Sequence, residues 1–271
     1  MSIRKTAPGR KFLISVIIIV IAVVIIAGKL FLGAAYVPVI LMYHSVGEER
    51  GTPDGYGDKL RVSPRAFAKQ MKFLHDHDYK VIPLAEFIRR IKSHRPIPHK
   101  TIAITFDDGL RNNFFYAYPA LKRYKFPATI FVITDLIGAG KFLTWDDIRT
   151  MQKDGVVAAS HTASHAWLPD LSEAAMRKEL AGSKKVLERM TGRKVETLSY
   201  PLGAFNREVE KVAKETGYIG AVTTNPGRGY SNDDPYALKR TRISMSANNL
   251  FVFWIKTSGY HTFVQERRDE D

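Results

Sequence analysis

The sequence predicts an α/β domain in which about seven parallel strands close toward a barrel, preceded by one apolar helix. Three observations predict it. Short, β-branched apolar runs alternate with helical segments at the spacing of βα units. Ionisable residues collect just after those runs, at the strand ends where such barrels gather their chemistry. Residues 12–27 carry no charge.

The N-terminal stretch is read first. Arg4, Lys5, Arg10 and Lys11 precede it, and seven isoleucines and four valines fall within residues 12–26. No polar face exists, so a surface amphipathic helix is excluded. The uncharged core is a little short of the ~20 residues of a membrane span. It reaches that length if Lys29 snorkels and residues 30–35 continue the helix. The basic flank then stays cytoplasmic and the remainder is exported. Cleavage of a signal peptide near Ala35 is the rival reading, but the apolar core exceeds the usual ~7–15 residues. The expected organisation is a basic cytoplasmic tail (1–11), a signal-anchor (12–35), a catalytic domain (36–265) and a charged, frayed tail (266–271).

Composition narrows the chemistry. The chain has 271 residues and no cysteine, so disulfides and thiolate metal sites are excluded. The formal net charge of +14 is spread along the chain. No nucleic-acid motif accompanies it; the charge reads as a solvated surface, or as attraction to anionic envelope polymers.

After the anchor, residues 37–42 form the first strand-like run, ending in Tyr43-His44-Ser45. Residues 48–58 are polar and glycine-containing, hence a loop. Ser63-Pro64 caps a helix with the stripe Phe67, Met71 and Leu74. A short edge strand at 79–83 and a helix at 84–92 lead to the central strand at 101–104. A helix over 112–124 and a strand over 128–133 follow. Thr144 caps a helix ending near Lys153, and a strand occupies 156–160. A long amphipathic helix starts at Ser172-Glu173 and stops near Gly192. Strand 196–200, helix 206–216, strands 220–223 and 238–243 and a closing helix at 248–255 complete the set.

The central strand ends in Thr105-Phe106-Asp107-Asp108-Gly109. Adjacent carboxylates at a buried strand end must be paired, solvated or bound to metal. Both serve one site only where the pleat breaks down, which Gly109 permits. A plain Asp-Gly turn would account for the pair. His161-Thr162-Ala163-Ser164-His165, after the next-but-one strand, weighs against that reading. Two histidines and a carboxylate make a facial set with open positions, suited to zinc or another divalent metal.

These segments together resemble the polysaccharide deacetylases, the NodB-homology or family 4 carbohydrate esterases, over residues 37–245. The resemblance implies a distorted (β/α) barrel of about seven repeats and a divalent metal, zinc first, with Co, Ni or Mn as alternatives. It implies Asp107 as base and Asp108, His161 and His165 as metal ligands, with Thr162 supporting the loop. Two departures stand out. The family's Arg-x-Pro-aromatic-Gly motif appears as Ser199-Tyr200-Pro201-Leu202-Gly203, without the arginine that orients the base; Arg240 or Arg242 is the candidate replacement. The late Leu-x-His motif that carries the acid is missing, with Ile243-Ser244-Met245 in its place. Both departures are similar to the poly-N-acetylglucosamine deacetylase branch, in which an early Tyr-His supplies the acid, here His44. Pro201 and the Leu202 amide are expected at the oxyanion. Trp145 and Asp146 are expected to line the cleft or, equally, to cap a helix over the core. His75, His77, His94 and His99 read as solvated.

The expected reaction is hydrolysis of N-acetyl groups on amino sugars of an envelope or extracellular polysaccharide, exopolysaccharide or peptidoglycan. A cationic His44 needs a carboxylate neighbour. An inactive, membrane-tethered glycan-binding module of the same fold is the alternative. A glycoside hydrolase is disfavoured, because adjacent carboxylates cannot span the ~5–9.5 Å between its two catalytic groups.

Overall fold

The structure is a computed structural model that describes residues 10–48, 60–224 and 234–260. The chain divides into two compact units, residues 1–36 and 37–271. The first contains helix α1 (Arg10–Ala35). Its large apolar side chains from Phe12 to Ile26 are exposed. Among the described residues no helix is long and apolar enough to cross a membrane. The side chains described in α1 cover residues 12–28, short of the ~20 that a span needs. The expected transmembrane helix is thus not found as such. Of the tail expected at 1–11 only Arg10 and Lys11, the start of α1, are described; the tail at 266–271 and nearly all of the 48–58 loop lie outside the described residues.

The second unit carries strands β1 (Val39–Tyr43), β2 (Ser45–Val46), β3 (Arg61–Val62), β4 (Lys80–Val81), β5 (Thr101–Phe106), β6 (Ala128–Val132), β7 (Val156–Ser160), β8 (Thr197–Ser199), β9 (Gly220–Val222) and β10 (Thr241–Arg242). Its helices are α2 (Pro64–Asp76), α3 (Leu84–Lys92), α4 (Tyr118–Tyr124), α5 (Trp145–Gln152), α6 (Glu173–Thr191), α7 (Arg207–Glu215) and α8 (Leu250–Thr257). The main sheet runs β10-β1-β5-β6-β7-β8-β9, all parallel, with β4 alongside the start of β5. It forms a parallel α/β half-barrel. A single parallel bridge, Val222 to Leu238, ties β9 to the chain just before β10.

β1, β5 and β6 are buried at every position, as expected of parallel strands covered on both faces. Their side chains alternate between two cores. Ile102, Ile104 and Phe106 join the large outer core against the helices. Ala103 joins Ile40, Phe131, Ala159, Val222 and Leu238 in the smaller inner one. Continuing that alternation, Thr105 and Asp107 fall on the inner face, which is how the strand delivers a carboxylate to the sheet's concave side.

The caps are where the sequence places them. Ser63 accepts from the Ala66 N–H with Pro64 in the first turn, and Ser172 caps α6. Thr144 and Asp147 form a reciprocal capping box. Three elements differ from expectation. The helix over 112–124 opens as one π turn, Asn113–Ala117, before α4. Pro119 explains it, because it lacks an N–H and its ring crowds the carbonyl four residues back. β10 is shorter than expected, because Leu238 turns to β9 while Thr241 and Arg242 pair with β1. The small β2–β3 sheet has strands of two residues, too short for a periodic signal.

Gly109 sits at φ +69°, and a Cβ there would lie 2.8 Å from Val132 Cγ1 and 3.2 Å from Val132 Cα. Gly109→Ala is expected to destabilise the fold by about 1–3 kcal/mol through backbone strain. Urea unfolding of the variant checks this; wild-type stability would show that the turn relaxes freely.

Candidate active site

Asp107 follows β5 and is buried. Its N–H still belongs to the ladder, donating to Tyr43 O at 2.9 Å. Asp108 has φ +71°, so the pleat ends between the two residues and both carboxylates serve the same region. Strain of this kind recurs around the site: Thr162, His165 and Leu202 also have positive φ. Such conformations cost about 1–3 kcal/mol each and persist where the surroundings over-determine them.

The partner of Asp107 is Arg240. Nη1 donates to Oδ1 at 2.7 Å and Nη2 to Oδ2 at 2.5 Å, a bidentate pair between buried groups. Arg240 is held in turn: Nη1 reaches Thr105 Oγ1 at 3.1 Å, and Nε donates to Thr223 O at 3.2 Å. Nη2 also donates to Ser199 Oγ at 3.0 Å, and Ser199 donates to Asp107 Oδ2 at 3.3 Å. Of the two candidate replacements, Arg240 therefore makes the contact, and Ser199 leaves room for it. Burial pushes the Asp107 pKa up, but the Arg240 charge and hydrogen bonds, with His161 and His44, hold it below the ordinary carboxylate range.

Asp108, His161 and His165 offer ligand atoms that all lie within 4.8 Å of one another. His161 Nε2 is 3.3 Å and His165 Nε2 3.6 Å from Asp108 Oδ1. His161 Nδ1 lies 2.8 Å from Ser199 O. A carbonyl only accepts, so Nδ1 carries the proton and Nε2 presents its lone pair to the cluster. This orientation and the N₂O donor set fit a divalent metal such as zinc. The loop is fixed from three sides. Thr162 Oγ1 accepts from the His165 N–H at 3.0 Å, as the sequence suggested. Thr134 and Asp135 N–H groups donate to Thr162 O and Ala163 O. Glu179 of α6 accepts the N–H groups of Ala163 and Ser164 at 2.9 Å each and the Ser164 hydroxyl at 2.8 Å. Sequence reasoning missed Glu179, because a helix position cannot show which distant loop its carboxylate will reach.

Burial opposes charge on His161, yet the hydrogen bond that Nε2–H gives Asp108 in the protonated form, with the charges of Asp107 and Asp108, holds its pKa above the usual value. Burial and the His161 charge lower that of His165.

His44 stands between β1 and β2. Its carboxylate neighbours are Asp108 and Asp107, which raise its pKa, but burial is the larger effect and sets it below the usual imidazole value. Burial thus works against the cation expected at neutral pH, and the two carboxylates work for it. Its carbonyl accepts from Asn113 Nδ2 at 2.9 Å.

Pro201 is buried and Leu202 exposed, in a single 3₁₀ turn with Leu202 at φ +56°. The turn is closed by Gly203 N–H to Tyr200 O and Ala204 N–H to Pro201 O, and the Leu202 N–H lies outside both bonds. Trp145 packs on the large core in the first turn of α5, while Asp146 pairs with Arg149 on the surface; this is the helix-cap reading of that segment. His75, His77, His94 and His99 are exposed, as expected.

Arg240→Met would leave Asp107 buried without its cation, a loss of about 3–5 kcal/mol. Thermal unfolding together with acetate release should show a less stable, inactive protein, with Arg240→Lys intermediate; a fully active Arg240→Met would remove Arg240 from the site. Metal binding must displace the His161 proton. Because that pKa is raised, Co(II) affinity is expected to rise about tenfold per pH unit on the acid side and to level off only above ~6.5, the unperturbed imidazole value. Titrations at several pH values check the sign; affinity flat across that range would contradict it.

A family model described as polysaccharide deacetylase matches residues 94–221. A Bacillus subtilis protein whose name places it among the polysaccharide deacetylases, YxkH, is 38% identical over 205 residues, covering 76% of this chain and 71% of that one. The Staphylococcus aureus poly-β-1,6-N-acetyl-D-glucosamine N-deacetylase is 31% identical over 215 residues, covering 74% and 73%. Among solved structures, the Streptococcus pyogenes deacetylase PplD in complex with acetate superposes with a TM-score of 0.72 at 29% identity, covering 80% of this chain and 97% of that one. On these identities and coverages, with the family model and the shared half-barrel beside them, the chain belongs to the polysaccharide deacetylase family.

Proposed function

We propose that this protein is a metal-dependent N-deacetylase that removes acetyl groups from amino sugars of an envelope or extracellular polysaccharide. The observation that carries the reading is the buried Asp107–Arg240 pair beside the compact Asp108, His161 and His165 set. A metal held by those three, zinc by its donor set, would supply a Lewis acid that polarises the acetamide carbonyl and makes water more acidic.

The chain's own groups do the rest. Asp107, kept ionised by Arg240, takes the proton of the attacking water. A depressed pKa makes it a weaker base but favours its charged form. The Leu202 N–H is free of the turn's own bonds and supports the developing oxyanion from the rim. His44 delivers a proton to the leaving nitrogen. Its lowered pKa makes the protonated form a stronger acid while reducing the charged fraction at neutral pH. Acetate and a free amino sugar result. The inactive binding-module reading rested on the missing motif arginine at Ser199 and on Leu202 in place of the aromatic; Arg240 answers the first with a charge on Asp107.

Substrate and location follow from less. The similarity to the staphylococcal enzyme and the early Tyr43-His44 favour an exopolysaccharide of N-acetylglucosamine over peptidoglycan. The uncharged run 12–27, continued past Lys29 to Ala35, favours a domain held at the outer side of the cell membrane.

The test is acetate release by the full chain from poly-β-1,6-N-acetylglucosamine, peptidoglycan and chitin oligomers, with Zn(II) or Co(II) and with chelator. Release from the first, lost on chelation, is expected; no release from any of them with metal bound would overturn the reading. Asp107→Asn should abolish turnover while metal stays bound. His44→Ala should lower kcat by roughly 10²–10⁴-fold.

A further inference from the structure

We propose that Asn113 is a positioning residue for His44, fixing the peptide from which the imidazole is presented to the leaving nitrogen. The proposal rests on His44 being the acid of the reading above.

His44 occupies a particular place in the sheet. β1 and β5 are in register to the last residue, Tyr43 opposite Phe106. The final ladder bond runs from the Asp107 N–H to Tyr43 O. The next carbonyl, that of His44, has passed the end of the ladder. Asn113 Nδ2 donates to it at 2.9 Å, so a side chain holds the peptide just past the strand end. The neighbouring Asn112 Nδ2 donates to Ser45 Oγ at 2.8 Å. Two consecutive carboxamides thus tie down two consecutive residues, His44 and Ser45.

Asn113 is fully buried, and its Oδ1 finds no hydrogen-bond partner among the described residues. A buried carboxamide half satisfied is a costly residue for packing alone. It also opens the π turn Asn113–Ala117, a distortion that tends to mark functional segments. The tether starts five residues after Asp108. Base, metal ligand and acid are therefore held by one continuous stretch of chain, residues 107–113, against β1. Tyr43 on the other side is locked by its hydroxyl on Gln70 Oε1 at 3.0 Å and by stacking on Phe106. Between Tyr43 and Ser45, the His44 peptide is held by Asn113.

The experiment is a double-mutant cycle with Asn113→Leu, which keeps the volume and removes the donor, and His44→Ala. In the wild-type background Asn113→Leu should lower kcat for acetate release at least tenfold, with KM within about threefold and Co(II) affinity unchanged. In the His44→Ala background it should have no further effect, since a residue acting through His44 has nothing left to position. On an aryl acetate, whose leaving group departs without a proton, Asn113→Leu should keep the wild-type rate. Additive losses in the cycle, a fall in Co(II) affinity, an equal loss on the aryl acetate or an unchanged kcat would each overturn the proposal. If His44→Ala itself keeps full activity, the acid assignment falls and this proposal with it; if His44→Ala is impaired and Asn113→Leu is not, only Asn113 is misassigned. Asn113→Ser, smaller and polar, carries the same comparisons should Asn113→Leu not fold.

Discussion

The rest of the site depends on one buried ion pair. Asp107 and Arg240 are both shut off from solvent and joined by two short hydrogen bonds. An unpaired carboxylate at that depth would take up a proton and could not then act as the proposed base. Two charges are costly to desolvate, and pairing them with good geometry only about offsets that cost. The pair therefore contributes less to stability than to keeping a charged carboxylate in place. Thr105, Ser199 and the Thr223 carbonyl absorb the remaining donors of the guanidinium, which is the condition under which such a pair is tolerated.

The pair also explains the shape of the sheet's open edge. Arg240 precedes β10, which lies beside β1, and β1 lies beside β5. Reaching Asp107 from there requires the chain before β10 to cross toward β9, and the Val222–Leu238 bridge and the Arg240 bond to Thr223 O are that crossing. A full-length strand at 238–243 would have kept Arg240 in a ladder on β1. Serine at position 199 completes the exchange: its hydroxyl bridges the carboxylate and the guanidinium where a second arginine would bring a second charge.

Much of the site was readable from residues because its ligands sit in short segments at strand ends. Asp107, Asp108, His161 and His165 lie in two such segments, and the β-branched runs before them predict the strands. The same holds for Ser63, Thr144 and Ser172, whose caps depend on neighbours three residues away. What could not be read depends on distance along the chain. Choosing between Arg240 and Arg242 needs the register of β10 on β1 and the direction of each side chain, and both arginines lie on a run of the same composition. Glu179 and Asn113 make their contacts from helical segments that carry no motif. For His44 the sequence anticipates a carboxylate neighbour but not how deeply the imidazole is buried, and burial is the larger effect on its pKa.

The family match covers residues 94–221, and both residues that set this site apart lie outside it. His44 comes from β1 and Arg240 from the approach to β10. Those two elements are adjacent in the sheet, so the proposed acid and the cation that pairs with the proposed base enter from one edge. The ligands enter from the other side, from β5 and β7. Substituting within that edge pair can change proton delivery and base orientation while leaving the Asp108, His161 and His165 set intact. A fold of this kind can thus vary its acid–base apparatus at one edge without disturbing its metal ligands, because the two sets of groups are carried by different strands and share only Asp107 and its neighbour.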